Sequence, residues 1–130
     1  MAKTTRSIIE DGLRGILSVF NNDPYFKFAQ ISFSKNLDHF VDRLLERRID
    51  VVDVLKLMKK TVKNHKCEIV YVCCLEEMPL RVNIKNEDLV IGLTLHVDEN
   101  GIKRLRLRTI FENFANRFDS RISTYVIMEQ

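Results

Sequence analysis

At 130 residues, with 45% hydrophobic and 30% charged side chains and few glycines or prolines, the chain has the make-up of one soluble globular domain spanning 1–130, not of a disordered or fibrous protein. No apolar run approaches the roughly 20 residues that cross a bilayer, and charges interrupt Met1 to Phe20 where a signal peptide needs its apolar centre, so a cytoplasmic protein with no membrane partner is expected. The formal charge of +3 is mild, but Lys103, Arg104, Arg106 and Arg108 fall between Asn100 and Phe111 with no acid among them, a local bias that suits a polyanion.

In chain order, "SIIEDGLRGILSVF" sets Ile9, Leu13, Ile16, Leu17 and Phe20 on one helical face, and Ser7 with Glu10 has capping-box spacing, which predicts a helix over about 8–20 ended by "NNDP". "FKFAQISFS" alternates Phe26 and Phe28, then Ile31 and Phe33, and reads as a short strand. "NLDHFVDRLLERR" is an amphipathic helix with Leu37, Phe40, Val41, Leu44 and Leu45 inward and His39, Asp42, Arg43, Glu46 and Arg47 outward. After a short corner, Asp50 can cap a second helix, "VVDVLKLMKKTVK", with Val51, Val54, Leu55, Met58 and Val62 toward the core and lysines on the rest.

From Cys67 the period changes to two. "CEIVYVCCL", apolar on both faces, reads as a central strand. "LRVNIK", with Leu80, Val82 and Ile84 alternating with Arg81, Asn83 and Lys85, then "LVIGLTLHV" and "IKRLRLRTIF" complete an antiparallel meander of about four strands. The tail carries Phe111, Phe114 and Phe118 at helical spacing and then a last strand, "RISTYVIM". The predicted class is α+β: N-terminal helix, short strand, two-helix hairpin and a meander sheet with the helices packed on one face. Three cysteines, two of them adjacent, suggest buried free thiols and not a disulfide framework.

The turn "DENG" fixes which residues meet in the last hairpin. A two-residue loop would set Val97 and Leu95 against arginines and mix the faces. A three-residue loop, Glu99 to Gly101 with Gly101 in the left-handed conformation, pairs Leu95 with Leu105 and Leu93 with Leu107 on the core face. His96 then faces Arg104, Thr94 faces Arg106 and Gly92 faces Arg108. Residues two apart on a strand repeat at about 6.6–6.8 Å, close to the phosphate spacing of an extended single strand. The plainer reading, arginines that snorkel over apolar neighbours for solubility, accounts for the alternation equally well.

His39 stands on the polar face of its helix one turn before Arg43, with Asp42 and Glu46 near enough to orient it. Here "FSKNLDHFVDRLLERRIDVVDVL", above all "HFVDR" followed by "RRID", resembles the phage endoribonuclease RegB family, and "NEDLVIGLTL" resembles a later strand of it, over about 31–110. The resemblance implies a small α+β ribonuclease fold related to the RelE and YoeB toxins, cutting messenger RNA without a metal, with His39 on a family catalytic histidine and Arg43 on a matching arginine. It also carries a departure: Lys59 occupies the place of the family's second essential histidine.

Metal-free cleavage needs a base for the ribose 2′ hydroxyl, an acid for the leaving 5′ oxygen, and cations for the phosphorane. One histidine supplies one proton transfer at a time, so the expected centre is His39 with His96, or Lys59 if its environment suits an acid, in the second role, and Arg43 and Lys59 on the scissile phosphate. Arg81, Lys85, Arg104, Arg106 and Arg108 would hold the flanking RNA. The implied partner is mRNA, free or on the host ribosome, in the host cytoplasm. The missing histidine keeps two other readings open, a non-catalytic RNA-binding repressor and a phage protein that inhibits a host protein. No metal or cofactor is expected: the histidines and cysteines lack zinc-finger spacing, there is no phosphate loop or nucleophile elbow, and Glu76 and Glu77 read as solvated turn residues.

Overall fold

The computed structural model describes residues 5–33, 37–75, 81–112 and 124–129. The first helix, α1 (Thr5–Asn21), buries the five apolar residues that its sequence stripe selects. It begins ahead of the expected start, which puts Ser7 inside the first turn. The next segment departs from expectation. The Asp23 carboxylate accepts from the backbone N–H groups of Tyr25 (2.8 Å) and Phe26 (3.4 Å), and Pro24 takes the first helical position. A short helix, α2 (Pro24–Phe28), therefore forms where the Phe26 and Phe28 alternation suggested a strand, and only β1 (Ile31–Phe33) is extended.

The third helix, α3 (Asp38–Glu46), buries Phe40, Val41 and Leu44 as its pattern requires. Arg48 turns the chain in the left-handed region (φ 52°), and Asp50 caps the next helix by accepting from Val52 N at 2.9 Å. That helix, α4 (Val51–Cys73), is the second departure, because it runs through the segment expected as a central strand. His65 (φ −124°, ψ 21°) interrupts the helical path, and beyond it Ile69, Val72 and Cys73 are buried at helical spacing. The His65 ring stands between two carboxylates, Nδ1 at 3.1 Å from Glu68 and Nε2 at 2.9 Å from Glu129, which ties the bend to the C-terminal end of the chain. Of the three cysteines only Cys73 is buried, its thiol pushed up to about 12 by that burial; Cys67 and Cys74 are exposed, contrary to expectation.

The remaining strands are β2 (Arg81–Lys85), β3 (Leu89–Val97), β4 (Lys103–Glu112) and β5 (Thr124–Met128), in a five-stranded sheet of order β1-β4-β3-β2-β5. The antiparallel meander is thus three strands, β2 to β4, and the edges β5 and β1 pair in parallel with β2 and β4. One face of the sheet, including Val82, Leu93, Leu105 and Ile127, meets Ile69 and Val72 of α4. The α+β class holds. Phe111 belongs to β4 and not to a helix, while Phe114, Phe118, Glu76 and Glu77 lie outside the described residues. Among the described residues no helix is long and apolar enough to cross a membrane.

The hairpin register follows the core-face argument. Leu95 pairs with Leu105, Leu93 with Leu107, His96 with Arg104 and Thr94 with Arg106. Gly101 has φ 80°, and Asp98 N bonds Ile102 O at 3.0 Å to close the turn. Beyond Leu107 the register shifts at a bulge, so that Gly92 pairs with Thr109 where Arg108 was expected.

Candidate functional site

Among the described residues β1 pairs only with Lys103–Leu105, and α3 packs against β4 beyond it. Arg47, just past the end of α3, fastens the two: its Nη1 donates to the Ile110 carbonyl, and its guanidinium lies 6.0 Å from the Phe111 ring centroid. The first turn of α3 is thereby fixed beside the polar face of the hairpin. Between them opens a cleft of about 440 Å³ lined by His39, Thr94, His96, Arg106, Leu107 and Arg108. Two histidines and two arginines from three elements share one concave surface.

The bulge shapes this cleft. It turns both Arg108 and Thr109 toward Gly92, where an added Cβ would stand 2.8 Å from the Arg108 guanidinium and 2.9 Å from the Thr109 methyl. Gly92 is therefore the floor over which the Arg108 head lies. Arg106 is exposed and has no ion-pair partner among the described residues.

The other expected site residues fall differently. Arg104 is engaged by Asp98, with Nε and Nη2 at 2.9 and 2.8 Å from one carboxylate oxygen, so it braces the turn and its charge is already met. Burial alone would raise the Asp98 carboxyl, but N–H groups of Ile102 and Asn100 together with the Arg104 guanidinium hold it below its ordinary range. Lys85 is 3% exposed at the far end of β2, opposite Val90 and Met128, and is not available as a surface cation. Arg81 is half-buried and stands across from Thr94, next to the cleft. Lys59 is exposed on α4 and does not line the cleft; the Ile69 and Val72 side of that helix packs on the sheet face opposite to Thr94 and His96.

Nor do the acids near His39 orient it. Asp42 pairs with Arg6 of α1, which also reaches the Asp38 carbonyl at 3.2 Å, and Glu46 pairs with Arg43 at 3.0 Å. The network holds α1 to the start of α3, whose N-cap residue, Leu37, offers no side-chain bond of its own. Among the described residues no group of three histidine, cysteine, aspartate or glutamate side chains is placed to hold a metal ion.

The model of the T4-phage Endoribonuclease RegB family matches residues 2–128. The chain belongs to the RegB family. Among solved structures it is similar to the solution structure of the phage T4 endoribonuclease RegB, with 18% identity over 95% of this chain and 100% of that one and a TM-score of 0.48. No curated protein matches the chain significantly. For a RegB-family chain, the cleft joins the histidine marked by the "HFVDR" motif to a histidine that no local motif marks, His96. Thr94 is a lining residue that the hairpin register alone could point to, as is Gly92 beneath the Arg108 head.

Proposed function

We propose that this RegB-family protein cuts single-stranded mRNA by attack of the ribose 2′ hydroxyl on the adjacent phosphate, without a metal ion, in the cytoplasm of the infected cell. What supports this reading is that His39 and His96, 57 positions apart in the chain, line one cleft with Arg106 and Arg108. One imidazole takes the 2′ hydroxyl proton while the freed oxygen bonds to phosphorus. The other gives a proton to the 5′ oxygen as its bond to phosphorus breaks, leaving a 2′,3′ cyclic phosphate and a 5′ hydroxyl. Arg106 and Arg108 meet the charge that builds on the phosphorane oxygens. Arg43, one turn from His39, can exchange its exposed Glu46 partner for a phosphate, since such a surface pair holds weakly. Arg81 flanks the path of the chain.

In this reading His96 does the work that the family assigns to the histidine replaced by Lys59. The test is purified protein with radiolabelled mRNA in excess chelator, with the ends of the products analysed. Cyclic phosphate ends support the mechanism. Binding without any cleavage would make the protein an RNA-binding repressor instead, and 3′ hydroxyl ends would rule out 2′ attack.

A further inference from the structure

Among the described residues, some cations are paired with acids and others are not. Arg6, Arg14, Arg43, Lys66 and Arg104 each form an ion pair with a carboxylate. Lys56, Lys59, Lys60 and Lys63 of α4 are all exposed, and none is paired with a described residue. At about 100° per residue the four occupy an arc of roughly 100°, turned half a circle from the buried side of Val54, Leu57, Met58 and Thr61. From Lys56 to Lys63 the stripe runs about 10 Å.

Such a stripe works against the helix that carries it. Lys56 with Lys60 and Lys59 with Lys63 are like charges one turn apart, which is mildly destabilising. Solubility is served as well by interspersed acids. Of the two acids in the same helix, Asp53 sits in the first turn, where it complements the helix N-terminus, and Glu68 lies past the stripe, against His65.

We propose that this lysine stripe is a second RNA-binding surface, separate from the cleft, that holds the phosphate backbone of a base-paired segment. Ammonium groups on a rigid helix act as point charges. They meet phosphates without reading bases, and A-form RNA is recognised chiefly through its shape and backbone. The cleft takes the strand that is cut, and the stripe takes a folded part of the same or another RNA. The proposal rests on the endoribonuclease reading only in taking the polyanion to be RNA.

The test is fluorescence anisotropy with a blunt RNA duplex of about 16 base pairs, which offers no single strand to the cleft. It compares the parent, Lys56→Glu/Lys60→Glu/Lys63→Glu and Arg106→Ala across a salt series. The triple variant should bind the duplex about tenfold or more weakly, with the salt slope reduced by about 2 to 3, while Arg106→Ala binds it like the parent. Cleavage of a short single-stranded oligonucleotide by the triple variant should match the parent. The glutamine triple variant, checked for parental melting temperature, repeats the measurement in case charge reversal disturbs the helix. Duplex binding by both triple variants that equals the parent's, or no duplex binding by the parent at low salt, overturns the proposal. Because binding is read without cleavage, a parent that binds duplex but cuts nothing supports the stripe and counts only against the catalytic reading.

Discussion

At the residue scale, what separates the first two arginines of β4 is whether their charge is already met. Arg104 and Arg106 are two apart on β4 and share the polar face, yet Arg104 is held by Asp98 while Arg106 has no ion-pair partner among the described residues. Arg106→Ala should therefore weaken single-stranded RNA binding and lower the salt slope by about 0.7 to 1, whereas Arg104→Ala should change either quantity little. Titrations of both variants against salt check this, and equal losses would mean that the Asp98 pair opens when RNA binds. The alternation of "KRLRLR" made these side chains look equivalent. Their difference lay in the fold of the turn that brings Asp98 back onto Arg104.

At the scale of the element, the hairpin is both scaffold and site. Gly92 leaves room for the Arg108 head, so Gly92→Ala should displace it and strain Thr109, at a cost of about 1 to 3 kcal/mol in stability with a loss of RNA affinity. Paired melts and binding curves test it; parental affinity would mean that Arg108 does not contact RNA. The turn should also respond to pH. The Asp98 carboxyl is held low in the folded protein, so its stabilisation is present above the ordinary carboxylate range, near pH 4, and is lost as pH falls through the lower folded value. Asp98→Asn should thus melt below the parent at neutral pH, with the gap closing as pH falls below the ordinary carboxylate range. A gap that widens in acid would contradict this. The hairpin register was legible because only one pairing keeps the leucines together. The bulge was overlooked: its mark is the change of apolar parity from Leu105 and Leu107 to Ile110, which the two polar residues between them blur. "CEIVYVCCL" misled for a related reason: a run apolar at nearly every position fits a buried strand as well as a helix, and the interruption at His65 hides the continuity from Val51. In "NNDPY" the cap and the first-turn proline were written plainly, but the phenylalanine alternation that follows outweighed them.

At the scale of the whole molecule, parallel edges and a helix packed beyond β1 bring together residues that no local signal connects. β1 and β5 reach β4 and β2 without a tight turn, so their pairing could not be read from spacing. His39 drew notice through its motif and His96 only through its hairpin partner. Their meeting depends on α3 lying along β4, fastened by Arg47. Arg47→Ala should loosen that contact and reduce cleavage even though Arg47 does not line the cleft, by a loss in kcat with little change in KM, as expected for misplaced catalytic groups. Arg47→Lys should restore little of it if the guanidinium's bond to Ile110 and its place over Phe111 are what matter. The central claim is that His39 and His96 form one proton-transfer pair. The measurement that addresses it most directly is the single-turnover cleavage rate of one RNA in chelator for the parent, His39→Ala and His96→Ala. Each variant should fall by about 100-fold or more, and the double variant by little beyond the worse single, as for groups that act as a unit. Cleavage by His96→Ala at the parent rate would contradict the pairing.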